Sequence, residues 1–116
     1  SDCINAGGFP DGIYQLGEMD VVVKNGVAKT PQGSLAGSTL TLNRSVNNIV
    51  ELAQVPLLEA INMASLTPAK HLGVDNMLGS ITIGKRACFA IIDDNLNVQA
   101  TIIDGEFVYL DSAVKL

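Results

Sequence analysis

Two neighbouring stretches decide how this chain is read. The first is Ala64-Ser65-Leu66-Thr67-Pro68-Ala69-Lys70-His71-Leu72-Gly73, and the second is Gly79-Ser80-Ile81-Thr82-Ile83-Gly84-Lys85-Arg86-Ala87. In the first, Thr67-Pro68 caps and opens a short helix that Gly73 ends. In the second the hydrophobic period shortens, and Ile81 to Gly84 reads as a short extended piece. The helical period is therefore expected to run up to Gly79 and to give way to strands after it.

Working back from the first stretch, Pro56 fits the first turn of a helix with Leu57, Leu58, Ile61 and Ala64 inward. Before it, Leu42, Val46, Ile49, Val50 and Ala53 recur at three- and four-residue spacing, and Ser38 or Thr39 is a suitable cap. Residues 31–37 read as loop. Met19 to Thr30 reads as a hairpin, with Val21-Val22-Val23, an Asn25-Gly26 turn of the I′ kind and Val27-Ala28-Lys29 returning. Residues 1–18 read as loop, because the glycines and the proline of Ala6 to Gly12 make a poor strand. Working forward, Ala87 to Ile92 and Val98 to Ile103 are strands, Asp104-Gly105 turns, and Glu106 to Leu110 pairs back. The last forty residues are thus an antiparallel meander.

The composition excludes several functions. A net charge of −5 with no Lys/Arg cluster argues against nucleic acid. No apolar run approaches the ~18 residues of a membrane span, and no signal peptide is visible. Cys3 and Cys88 lie far apart and read as two reduced thiols of a cytoplasmic protein. Charged residues make up only 16% of the chain, where about 25% is usual. Much of the surface is therefore expected to be covered by something else. The chain opens Ser1-Asp2 without Met, so it is expected to be processed, tagged or a fragment.

Chemistry is sparse. His71 is the only histidine, and a hydrolytic metal site needs three or more protein ligands. His71 is expected on the exposed face of its short helix, and no Ser-His-Asp set is visible. Two segments nonetheless look like pieces of a site. Asp2 precedes the glycine-rich Ile4 to Gly8, which suits a strand end opening into an active-site mouth; a frayed acidic terminus is the plainer reading. Gly33-Ser34-Leu35-Ala36-Gly37-Ser38 runs into a helix N-terminus and could offer N–H groups to an oxygen-rich ligand; an ordinary cap is the plainer reading.

Ser1-Asp2-Cys3-x-x-Ala6-Gly7, the hairpin turning at Asn25-Gly26, Gly33 to Ser38, Leu40-Thr41-Leu42, Pro68-Ala69-Lys70-x-Leu72-Gly73 and Gly79-x-Ile81-x-x-Gly84-x-x-Ala87 follow one another in a familiar order. In this the chain resembles the N-acetylglucosamine-6-phosphate deacetylases of the amidohydrolase superfamily, over essentially its whole length. The helix and strand motifs are shared across the superfamily; the Leu35-Ala36-Gly37-Ser38 loop points to the deacetylase branch.

The resemblance implies an α/β fold: the C-terminal part of a (β/α)8 metal-dependent hydrolase barrel over residues 1–78, and antiparallel strands of a small β-sandwich domain over 79–116. Asp2 would be the catalytic carboxylate, taking a proton from the water that attacks the acetamide and delivering it to the departing sugar nitrogen. Leu35, Ala36 and Gly37 would contact the amino-sugar phosphate. A divalent metal, zinc or iron, would be held by a Glu and two His lying outside this chain, so the chain alone is expected to be inactive. A cytoplasmic homo-oligomer is implied. Cys3 and Cys88 depart from the family's usual Ala and Asp. Two other readings compete: another amidohydrolase, dihydroorotase-like or adenine-deaminase-like, and a free-standing binding module without chemistry.

Overall fold

The computed structural model describes residues 2–114. It mixes helices with antiparallel sheets and divides into two compact units, residues 1–45 and 46–116.

The first unit is built on a three-stranded antiparallel sheet in the order β1 (Gly12–Leu16), β2 (Met19–Lys24), β3 (Val27–Lys29). The expected hairpin is β2–β3, turning at Asn25-Gly26 with Lys24 opposite Val27. Strand β1 corrects the expectation of a loop through residue 18. Ile13, Tyr14 and Leu16 are good strand residues, and β2 supplies the partner: Ile13 pairs with Val22 and Leu16 with Met19. Gly17 closes that turn at φ 62°. Alternation decides the register. Val21 and Val23 are buried while Val22 faces out, and a one-residue slip would reverse them. The core is small: Ala6, Val21, Val23, Ala28 and Ala36, with Ile4, Tyr14 and Leu16 packed against it.

Helix α1 (Leu42–Ala53) follows. It starts later than a Ser38 or Thr39 cap would require: the Thr41 carbonyl accepts from Ser45 N at 2.9 Å, and the Ser38 hydroxyl instead accepts from Leu40 N. Val46, Ile49 and Val50 are half-buried and none of the helix is fully buried.

The second unit carries α2 (Leu57–Ala64), α3 (Leu66–His71) and a meander in the order β4 (Phe89–Ile92), β5 (Val98–Ile103), β6 (Glu106–Leu110). The meander is as expected. The inward face of α2 is not: Ala60 is buried, whereas Leu58 is 71% exposed. The buried residues of α2 and α3 are the small side chains Ala60 and Ala69. Gly79 packs on α3 so tightly that a Cβ there would lie 2.6 Å from Ala69 Cβ. Ile81 to Gly84 is also not extended in a sheet. It forms a turn in which Lys85 N donates to Thr82 O, with Gly84 at φ 93°. The Lys85 ammonium ties this turn down, donating to the carbonyls of Asp75 and Leu78 and to the Ser80 hydroxyl.

Among the described residues no helix is long and apolar enough to cross a membrane.

Candidate functional site

The site residues expected from sequence meet in the first unit. Asp2 sits at φ 50°, a conformation that costs a non-glycine residue energy and is kept only when the surroundings impose it. The imposing group is Ser38. Its N–H donates to the Asp2 carbonyl at 3.0 Å and its carbonyl accepts from Ile4 N at 2.8 Å, making a parallel bridge across Cys3 and Ser38. The carboxylate-bearing residue is thus stitched, main chain to main chain, to the end of the Leu35-Ala36-Gly37 segment.

That segment is folded back on β3. Thr30 N donates to Ser34 O, Ala36 N to Ala28 O, and Leu35 bridges Lys29. The three residues are unlike one another. Ala36 is buried in the core, so its methyl group is taken up by packing. Gly37, at φ 93°, has no room for a side chain: a Cβ there would lie 2.5 Å from Ile4 Cγ2. Leu35 is 74% exposed and is the one side chain of the three free to touch a ligand.

A cleft of about 310 Å³ opens beside this segment, between the Asn25-Gly26 turn and residues 37–40, with Arg44 at its edge. Thr39 closes its floor by donating its hydroxyl to Gly26 O at 2.5 Å. The turn is held from the far side by Asp11, whose carboxylate accepts from Asn25 N at 2.6 Å and Gly26 N at 3.1 Å. Those two amides, with Lys24 nearby, hold the Asp11 pKa below the usual carboxylate value. Sequence reasoning picked out the turn and the Ser38 end of the loop, took Ser38 and Thr39 as helix caps, and missed Asp11. Nothing local announces Asp11, which reaches its partners across fourteen residues.

His71 is exposed at the end of α3, as expected. Cys3 and Cys88 are free thiols. Among the described residues no group of three or more His, Cys, Asp or Glu could hold a metal ion, so these side chains do not fit a metal centre by themselves. In the second unit Arg86 pairs with Asp104 through two bonds, Nε to Oδ1 at 2.7 Å and Nη2 to Oδ2 at 2.5 Å. The pair lowers the Asp104 pKa and raises that of Arg86.

Comparison with known proteins gives these features a setting. The amidohydrolase family matches residues 11–108. An N-acetylgalactosamine-6-phosphate deacetylase of Escherichia coli O157:H7 is 48% identical over 106 residues, covering 91% of this chain and 28% of that protein. An N-acetylglucosamine-6-phosphate deacetylase of Vibrio furnissii is 44% identical over 109 residues, covering 94% and 27%. The crystal structure of N-acetylglucosamine-6-phosphate deacetylase from Pasteurella multocida superposes with a TM-score of 0.86 at 34% identity, over 91% of this chain and 28% of that one. The chain thus spans under a third of these relatives, and 64% of a shorter protein from E. coli strain K12.

Proposed function

The chain belongs to the amidohydrolase family, and we propose that it is the C-terminal part of a deacetylase acting on N-acetylhexosamine 6-phosphates, above all N-acetylglucosamine 6-phosphate. In this reading residues 1–78 complete a (β/α)8 barrel and 79–116 are strands of a small β-sandwich. The observation that carries the reading is the Asp2–Ser38 stitch, which fixes a carboxylate-bearing residue beside the Leu35–Gly37 segment.

Asp2 is the proton carrier. It accepts a proton from the attacking water and returns it to the amine nitrogen as the C–N bond breaks, because an amine leaves poorly unless protonated. Leu35 offers an apolar wall to the sugar. Amidohydrolases are in general metal-dependent. The divalent metal, zinc or iron, belongs to ligands outside this stretch, since these residues do not assemble a set of their own. The 116 residues by themselves are then inactive, and the whole enzyme is a cytoplasmic homo-oligomer.

The 48% identity to a galactosamine-type relative, beside 44% to a glucosamine-type one, makes the sugar's C4 configuration a choice to be measured. The test is acetate release by the whole protein from both 6-phosphates. Turnover of either, falling about 10²–10⁴-fold in Asp2→Asn with unchanged metal content, supports the reading. An active Asp2→Asn enzyme removes Asp2 from the chemistry. Turnover of a cyclic ureide or a purine amine in place of both sugars removes the deacetylase assignment.

A further inference from the structure

We propose that Asn25-Gly26 is a site of spontaneous, water-driven deamidation and that the Asp11 carboxylate is the lock that controls it. The reaction needs only what the turn contains and water. The Gly26 amide nitrogen loses its proton and attacks Asn25 Cγ, a C–N bond forms, and the side-chain nitrogen leaves as ammonia. Water then opens the resulting cyclic imide at either carbonyl, leaving aspartate or isoaspartate. Glycine after asparagine makes this easy, because no side chain shields the attacking nitrogen.

The turn is open to solvent at both residues, so water has access. Asp11 opposes the reaction in two ways. Its Oδ1 holds the Gly26 N–H at 3.1 Å and its Oδ2 holds the Asn25 N–H at 2.6 Å, with the turn at φ 50° and 71°, so the attacking nitrogen must first give up a charge-assisted hydrogen bond. It also places a negative charge beside a nitrogen that must itself become negative, and like charges disfavour that state. The bonds that depress the Asp11 pKa also keep it ionised at neutral pH.

Conversion reaches the candidate site. A carboxylate at position 25 adds a second negative charge to the turn whose amides Asp11 holds, and isoaspartate adds a main-chain carbon where Lys24 must pair with Val27. Gly26 O, which accepts from Thr39 at the floor of the cleft, is displaced with it. The hairpin turn is thus a slow chemical clock set into the wall of the cleft.

The test incubates the full chain, Asp11→Ala and Asp11→Asn at mildly alkaline pH. Conversion is followed in the proteolytic peptide 25–29 by the mass gain of a carboxylate over a carboxamide. Hydrogen exchange at Val22 and Lys29 reports whether the hairpin is intact. With the hairpin amides still protected, conversion in Asp11→Ala is expected to rise roughly tenfold over the parent, the scale of losing charge-assisted hydrogen bonds. Equal rates in the parent and Asp11→Ala overturn the proposal. Where Asp11→Ala loses hairpin protection, Asp11→Asn decides, since it keeps an acceptor and removes the charge: faster conversion than the parent supports the lock, and an unchanged rate overturns it.

Discussion

Ser38 N donates to the Asp2 carbonyl at 3.0 Å while Gly37, one residue earlier, packs against Ile4 with no room for a Cβ. The left-handed φ of Asp2 and the left-handed φ of Gly37 are therefore two halves of one contact. Each is strained or glycine-only in isolation, and the bridge across Cys3 and Ser38 holds both.

Gly37→Ala should break this contact. The new methyl group meets Ile4 Cγ2 and the backbone must leave φ 93°. The expected loss is about 1–3 kcal/mol of stability, read as a lower denaturation midpoint, with a fall in kcat of the whole enzyme as Asp2 shifts. An unchanged midpoint would show that the bridge does not depend on Gly37.

Acid should loosen the molecule at several separate places, among them Asp93, held below its usual pKa by Asn97 and the Asn95 amide, and the two that follow. Asp11 is held below its usual pKa by the Asn25 and Gly26 amides, and Asp104 by Arg86. A carboxylate with a depressed folded-state pKa binds its proton more readily when unfolded. Its contribution is complete above about pH 4 and is lost as the pH falls from there toward the folded-state value. Carboxyl carbon shifts in NMR should place both midpoints below the ordinary aspartate value. Asp104→Asn should remove the Asp104 part of the acid sensitivity and leave the part at the Asn25-Gly26 turn.

Lys85 is expected to matter more than its neighbour Arg86. Its ammonium serves two main-chain carbonyls, Asp75 and Leu78, and the Ser80 hydroxyl, which uses all three of its hydrogens. Arg86 and its partner Asp104 are half-exposed, where ion pairs contribute little. Lys85→Met should cost about 1 kcal/mol by taking the donor from the part-buried Asp75 and Leu78 carbonyls, and Lys85→Arg should not restore it, since a planar guanidinium cannot point at three converging oxygens. A smaller loss in Lys85→Met than in Arg86→Met would reverse this ranking.

The sequence was legible where the signal was local or carried by ordered motifs. The β2–β3 hairpin and the β4–β5–β6 meander follow from turn dipeptides and alternation. The order Asp2, then Leu35 to Ser38, came from motif order, and the fold closes that gap through main-chain bonds. What was not legible depends on partners distant in sequence. Strand β1 stands because β2 offers it a ladder; its glycine-rich approach hides it. Ile81 and Ile83 alternate like a strand, but among the described residues no strand pairs with them, and both stay exposed. Leu58 looks inward on a helical wheel, yet the buried residues of the two helices are Ala60 and Ala69, the latter lying directly against Gly79.

The pleat of β2 offers the sharpest test of the first unit. Val21 and Val22 are adjacent, chemically identical and on opposite faces: Val21 is 0% exposed and Val22 39%. Val21 is the largest fully buried side chain among the described residues, and three members of its core, Ala6, Ala28 and Ala36, are too short to swing in and refill a space. Val21→Ala should therefore cost about 2 kcal/mol, the transfer energy of the lost methyl groups with a cavity term added. Val22→Ala should cost under about 0.5 kcal/mol, as an exposed substitution in a strand. Chemical denaturation of the two variants side by side measures the difference. Equal losses would mean that the outer face of β2 is covered as well, and the register that buries Val21 and Val23 would no longer be explained by this core alone.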